Sequence, residues 1–366
     1  MERREVPGEF RVIKYEVPDF RGDYHCMDYG DPNDARMVAL RDEFGLEAVV
    51  AGVETEFEGF LALKRWVRSR WDHGYSHHSV EVKDGLDILR QAARGAQFAC
   101  GHYARTFVDC ACALGWPARV IGICIEHGEY PRDYNVGNVG HSVAEIWSNE
   151  HRKWVVMDPD VNVYYRRDGV PLNALEIRDA WLRREADQVE MIQDEPLFVI
   201  PGERALHELK RDGAYSSWTL EALPLLFERF GRHRVMDYYA RVLINGWEWV
   251  DERVLPTFIS HFSPHAVKPT GNPDHLYWSL NLVRLAATPS WEGGQSRLRI
   301  ELEHCMPYFD HYEARLNGDG WLRVEESFDW PMHEGVNRLE CRAVNVRGRP
   351  GPVSRMDVAH ARALEW

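Results

Sequence analysis

Apolar residues recur at helical spacing through the first third of the chain and at every second position through its last quarter. From Asp34 to about Gly95 the spacing is mostly helical. "DARMVALRDEF" opens at Asp34, a residue suited to an N-cap, and "EFEGFLALKRWVRSRW" sets Phe57, Phe60, Leu61 and Val67 on one side of a helix. "KDGLDILRQAARG" predicts a short helix capped by Asp84 and stopped at Gly95. In "CGHYARTFVDCACALG", Ala104, Phe107, Val108, Ala111 and Leu114 form one apolar face, and Gly115 ends the helix. The period then changes. "ARVIGICIE" is β-branched and alternating, and "HSVAEIWS" and "KWVVMDPD" predict two more strands around the polar turn "NEHR". Residues 1–30 read as an irregular or strand-bearing segment.

A helix followed by three strands predicts an α+β fold with an antiparallel sheet. Residues 172–250 return to a helical pattern, with "WTLEALPLLFERFG" and "RVMDYYARVLINGWEW". "HFSPHAVKPTGNPDH", rich in Pro, Gly and Asn, reads as a linker. After it, "LYWSLNLVRLAAT", "SRLRIELEH", "YEARLNG", "WLRVEESFDW" and "NRLECRAVNVRG" predict evenly spaced strands with Gly/Asn turns. That is the pattern of a β-sandwich of immunoglobulin or fibronectin-III type. The expected domains are residues 1–265 and 266–366, with the chemistry in about 55–185.

Charge and composition narrow the function. The formal net charge of −14 repels phosphate backbones and no basic stripe offsets it, so nucleic acid is not an expected partner. No apolar run approaches the roughly 18 residues of a membrane span. The N-terminus as given has no apolar leader, so a cytoplasmic protein is expected unless a leader has been removed. The seven cysteines include no CxxC pair, and their odd number argues against a fully paired framework. Cys305 and Cys341 fall in two candidate sandwich strands, and a bridge between them would point to export instead. There is no metal-ligand spacing and no dense Asp cluster. Neither a metal, calcium control nor a cofactor is expected.

One cysteine is placed for chemistry. A helix N-terminus supplies partial positive charge and free N–H donors, which favour a thiolate. Cys100 stands where such an N-terminus is predicted. Cys110 and Cys112 lie near the C-terminal end of the same helix, where packing explains them, and Cys124 sits in an apolar strand. A thiolate nucleophile needs a base, and the base an orienting carboxylate or amide. His141 opens one strand and Asp158 closes the next. If the two form a hairpin around "NEHR", these side chains face each other across the ladder. Taken singly, His141 reads equally as a strand-start surface residue, and Asp158 before Pro159 as a turn former.

Together, "CGHYARTFVDCACALGWPARV", "GHSVAEIWS" and "KWVVMDPD" resemble the transglutaminase-like superfamily. Cys100, Gly101, Ala104, Leu114, Gly115, Ala118, Arg119, His141, Glu145, Trp154 and Asp158 match its pattern in order, over about a third of the chain. Two positions depart from it: Val143 stands where the family often has Trp, and Pro-Asp follows Asp158 where Pro-Thr is usual. The resemblance implies a papain-like core, a Cys-bearing helix packed on an antiparallel sheet. It also implies a catalytic triad of Cys100, His141 and Asp158. An oxyanion hole would use the Cys100 backbone N–H with a side-chain donor, either Gln97 or an upstream Trp such as Trp71. Arg119 and Glu145 either pair to support the active-site sheet or are an ordinary surface strand pair.

The chemistry so implied is acyl transfer through a thioester. Members sharing the Cys-Gly-x-x-Ala block, of the bacterial type and the peptide N-glycanases, imply a hydrolase acting on a peptide, protein or glycopeptide-like amide. A protein-crosslinking transglutaminase and a non-catalytic binding scaffold are the alternatives.

Overall fold

The structure is a computed structural model, and it describes residues 9–20, 28–74, 76, 79–124, 140–193, 239, 241–244, 247–249, 268–292 and 295–361. In chain order, strand β1 (Glu9–Glu16) precedes helices α1 (Ala35–Glu43), α2 (Leu46–Val49), α3 (Glu56–Arg68), α4 (Gly85–Ala92) and α5 (Cys100–Ala113). Strands β2 (Ala118–Cys124), β3 (Gly140–Ser148), β4 (Lys153–Met157), β5 (Val163–Arg167) and β6 (Val170–Pro171) follow, then α6 (Ala174–Leu182). Next come β7 (Glu190–Gln193), β8 (Arg241–Ile244), β9 (Trp247–Trp249) and β10 (Lys268–Thr270). The remaining strands are β11 (Val283–Glu292), β12 (Gln295–His304), β13 (Phe309–Leu316), β14 (Leu322–Val324), β15 (Ser327–Pro331), β16 (Gly335–Asn345) and β17 (Ser354–Ala361).

The described residues fall into two compact units, one within Cys26–Tyr277 and one within Met1–His25 and Trp278–Trp366. The division therefore lies at 277/278, beyond the 265/266 boundary read from the sequence. The N-terminal strand β1 pairs with β17, a partnership across nearly the whole chain that no local pattern announces.

The first unit is built around α5. Its buried residues run from Tyr103 to Ala113 on nearly every side of the helix. Cys110 and Cys112 are thus both buried although they point apart. Helices α3 and α4 pack on α5 through Phe60, Leu63, Val67, Leu86 and Leu89, and the sheet adds Ala118, Ala144, Ile146, Val155 and Met157. Burying each large aliphatic or aromatic side chain stabilises by about 1.5–3 kcal/mol. The caps agree with the sequence at Asp34 and Asp84, and α3 opens with a full capping box from Thr55 and Glu58.

The sheet of this unit runs β10-β9-β8-β2-β3-β4. Strands β2, β3 and β4 pair antiparallel as expected. Two expectations differ. "RVMDYYARVLINGWEW" contains strands β8 and β9, not a helix, because β8 pairs on β2 (Ile121 with Ile244). Part of the expected linker pairs as β10, parallel to β9. "WTLEALPLLFERFG" lies outside the described residues. The β3–β4 turn is fixed from outside the sheet. Glu56 of α3 accepts hydrogen bonds from the Asn149 N–H (2.7 Å), Asn149 Nδ2 (3.0 Å) and the Glu150 N–H (3.2 Å). That contact holds the hairpin that carries the candidate site.

The second unit is two antiparallel sheets, β1-β17-β16-β13-β14 and β11-β12-β15, closed over one core. Alternation is clearest in β12, where Leu298, Ile300 and Leu302 are buried between exposed or half-buried neighbours. "WLRVEESFDW" splits into two strands that belong to different sheets. Cys305 and Cys341 are both free thiols, Cys341 in this core and Cys305 beside Phe20 and Leu282, so the bridge considered from the sequence is not made.

Candidate active site

Helix α5 begins at Cys100 itself. Its N-cap is Ala99, in extended conformation (φ −86°, ψ 179°) and with no side-chain acceptor. Helices α1, α3, α4 and α6 are capped by Asp34, Thr55, Asp84 and Asn173. A helix leaves its first N–H groups without intrahelical partners, and at α5 no capping side chain takes them. The approach to Cys100 is held by the segment 71–74. His73 and Phe98 form a parallel bridge, and the Gly74 N–H donates to the Phe98 carbonyl (3.2 Å). The buried Arg68 secures that segment from below, donating to the Trp71 carbonyl (3.0 Å) and to the Tyr103 hydroxyl (2.6 Å).

His141 and Asp158 meet, though not as direct cross-strand partners. The last paired residues of the β3–β4 ladder are Ala144 and Met157. His141 lies three residues before the one and Asp158 one residue after the other. They share a face of the sheet and reach each other diagonally, a separation that long side chains span. His141 Nε2 is 2.7 Å from Asp158 Oδ2, and both residues are buried. The other Asp158 oxygen accepts from the backbone N–H groups of Asp160 (3.1 Å) and Val161 (3.3 Å). Asp158 is thus both a turn former and the partner of His141, since one carboxylate has lone pairs for each task. The buried Lys64 of α3 donates to the Asn162 carbonyl (3.1 Å) and so fastens the same turn to the helical layer.

The imidazole also hydrogen-bonds the Cys100 sulfur. With Nε2 on Asp158, the nitrogen left for the thiol is Nδ1. Burial opposes a charge on His141, but the Asp158 charge, its hydrogen bond and the Cys100 contact outweigh it and raise the His141 pKa well above the ordinary value. Cys100 is partly exposed, whereas Cys110, Cys112, Cys305 and Cys341 are buried. Burial pushes Cys305 up to about 11, Cys341 up to about 12, and Cys110 well above the usual thiol value.

Two further groups enter the site that the sequence reading passed over. Asp160, buried, brings an oxygen within 4.8 Å of both Cys100 Sγ and a His141 ring nitrogen. His73 Nδ1 lies 2.8 Å from Asp160 Oδ1. Burial works against the Asp160 charge, but His73, His141 and Arg68 hold its pKa below the usual carboxylate value. The signal for Asp160 was the departure at "DPD", where the second acid replaces the usual Thr.

The other suggested residues divide. Trp71 is a correction: its indole N–H donates to the Phe98 carbonyl (3.1 Å), and its ring stacks on Tyr103 at 4.3 Å, so it braces the segment and has no donor left for a substrate. Gln97 is exposed, three residues before Cys100, and only a glycine at position 74 leaves room for its side chain. Arg119 and Glu145 pair directly across β2–β3, and both are fully buried, so they brace the sheet and are not a surface pair.

Residues 46–159 match a family model described as the transglutaminase-like superfamily. No curated protein matches the chain. Solved structures with a detectable likeness include a candidate cysteine protease from Cytophaga hutchinsonii, at 17% identity and a TM-score of 0.27. That match covers 50% of this chain and 58% of the Cytophaga chain, so it spans less than two thirds of that protein. Red sea bream transglutaminase is another, at 10% identity and a TM-score of 0.27, covering 98% of this chain and 77% of that one.

Proposed function

We propose that the chain, whose residues 46–159 are a transglutaminase-like domain, is a cysteine-dependent acyl-transfer enzyme that hydrolyses an amide or peptide bond. The observation that carries this reading is the hydrogen-bonded series from Asp158 through His141 to a partly exposed thiol at an uncapped helix N-terminus. His141 takes the Cys100 proton, and the sulfur attacks an amide carbonyl. The Cys100 backbone N–H, with Gln97 as the second donor, receives the developing oxyanion. His141 then protonates the departing amine or ammonia, leaving a thioester on Cys100. Water attacks the thioester, His141 receives its proton, and the acid product leaves. Asp158 keeps the imidazole oriented and stabilises its charge throughout. The substrate class is a peptide, protein or glycopeptide-like amide. Free buried thiols at Cys305 and Cys341 suit a reducing, cytoplasmic setting.

The test is labelling with limiting iodoacetamide at a pH of about 6, where an ordinary thiol of pKa roughly 8.5 is barely reactive. Peptide mapping should find Cys100 modified first, and His141→Ala should abolish that preference. Equal labelling of all thiols, or a silent Cys100, would sink the enzyme reading in favour of a binding scaffold. Incorporation of a fluorescent primary amine into a glutamine-containing protein, faster than ammonia release into water, would replace hydrolysis by crosslinking.

A further inference from the structure

The acyl-transfer steps use Cys100, His141 and Asp158. They give no task to Asp160. A second buried carboxylate beside the thiol works against a thiolate by charge repulsion, and it brings a third metal-ligating atom to the Cys100–His141 pair. We infer that Cys100, His141 and Asp160 form a binding site for a soft divalent cation, zinc in the first place, and that the ion closes the centre to electrophiles.

The donor set is suited to that ion. Zinc takes thiolate sulfur at about 2.3 Å, imidazole nitrogen at about 2.0–2.1 Å and carboxylate oxygen at about 2.0–2.2 Å, in tetrahedral geometry. One atom each from Cys100, His141 and Asp160 lies within 4.8 Å of the other two. Tetrahedral coordination at those bond lengths sets neighbouring ligand atoms roughly 3.5 Å apart, so the ligand atoms have to close by at most about 1.3 Å. Each protein ligand already has a support behind it. His141 keeps Nε2 on Asp158 at 2.7 Å, the carboxylate–histidine–metal arrangement that fixes ring tautomer and orientation. Asp160 keeps one oxygen on His73 Nδ1 at 2.8 Å, which leaves the second. Cys100, partly exposed, supplies the entry path. The three ligands come from the start of α5, from β3 and from the turn after β4, so no spacing in the sequence announces the set.

Binding changes no oxidation state. The metal takes a lone pair from Cys100 Sγ and one from His141 Nδ1, and the proton shared by that pair leaves to solvent. The fourth position is open to water. That bound zinc would stop turnover rests on the function proposed above; the binding itself does not.

The experiment titrates the metal-stripped full chain with cobalt(II) as a spectroscopic stand-in. The expected result is a thiolate-to-cobalt charge-transfer band in the near ultraviolet with the visible bands of a tetrahedral ion, displaced by zinc at one equivalent. Cys100→Ser should abolish the charge-transfer band. Asp160→Asn should weaken binding at least tenfold and Asp160→Glu should restore most of it, with near-ultraviolet circular dichroism confirming the fold of each. Zinc should also protect Cys100 from iodoacetamide, and a chelator should restore labelling. A band that survives Cys100→Ser, or affinity unchanged in Asp160→Asn, would overturn the site. Preferential labelling of Cys100 in the metal-free protein without any cobalt signature would overturn the site while leaving the enzyme standing. A cobalt signature on a Cys100 that shows no labelling preference would uphold the site and sink the enzyme.

Discussion

Strand β3 carries two buried charged pairs four residues apart on one face of the sheet, and they are used in opposite ways. Glu145 is saturated. Its Oε2 takes Arg119 Nε (3.0 Å) and Nη2 (2.7 Å), and its Oε1 takes the Ala174 N–H (2.9 Å) and the Tyr277 hydroxyl (3.0 Å). Arg119 spends its remaining reach on the Leu276 carbonyl and lies over the Trp154 ring at 4.0 Å. That pair ties β2, β3, the start of α6 and the chain before Trp278 together, and has no capacity left for chemistry. The His141–Asp158 pair is equally well anchored at the Asp158 end, but its far nitrogen ends on a thiol that solvent reaches. Burial alone therefore does not mark a functional pair. What separates the two pairs is that one ends on the backbone and the other on an accessible thiol.

The sharpest way to break the comparison is at the thiol. Cys100→Ala should remove amide turnover by at least about 10³-fold and erase the preferential alkylation. The thermal midpoint should stay within a few degrees, because a partly exposed side chain at a helix start carries little packing. A large loss of stability would place Cys100 with the structural thiols. On the other pair the outcome reverses. Arg119→Met leaves Glu145 buried without its charge partner and should destabilise the fold by about 3–5 kcal/mol in urea unfolding. A cost below about 1 kcal/mol would refute the bracing role.

Asp158→Asn tests the poised pair, and chelator present throughout keeps metal out of the reading. Turnover and Cys100 labelling should fall by roughly 10²-fold. The alkaline limb of the rate profile should move to lower pH, because the charge that raises His141 is gone. The stability sign follows from the same shift. A histidine whose pKa is raised on folding contributes fully below its unfolded value near roughly 6.5, and the contribution fades as pH rises through the folded value. The penalty of Asp158→Asn should therefore be greatest at about pH 5–6 and shrink toward pH 9. A penalty that grows with pH would mean that His141 is neutral in the folded protein.

Much of this was legible in the chain. The α5 period and the strands β2, β3, β4, β12, β13 and β16 follow from spacing; β12, β13 and β16 bury alternate residues, whereas α5, β3 and β4 are buried on nearly every side. The meeting of His141 and Asp158 was legible because both lie on a single hairpin, where sequence distance converts to position. Asp160 and His73 were not, since a lone bridge at Phe98 and a turn after β4 bring them in from unrelated segments. Trp71 was misassigned because the sequence cannot show that its N–H is spent on Phe98. Strands β8 and β9 were read as helix because runs of four and three residues have no period of their own, and only the pairing of β8 with β2 and of β9 with β8 decides it.

The smallest expected effect sharpens the comparison most, because it moves stability and activity in opposite directions at one residue. Asn173 and Thr55 show how this chain caps a helix: each side chain accepts from the N3 backbone N–H, and a glutamate at N3 returns the bond. Ala99 has the extended backbone of such a cap without the acceptor. Ala99→Asp should therefore stabilise the fold by about 0.5–1 kcal/mol, through the first-turn N–H groups and the helix dipole. The same carboxylate would occupy donors that the oxyanion needs and set a negative charge beside Cys100, so labelling and turnover should fall about tenfold while the thermal midpoint rises. A variant that gains stability and keeps full reactivity would show that the bare N-terminus of α5 has no part in the chemistry. A variant that loses both would show that the segment before Cys100 is packed too closely for any cap, and that the site tolerates alanine for steric reasons alone.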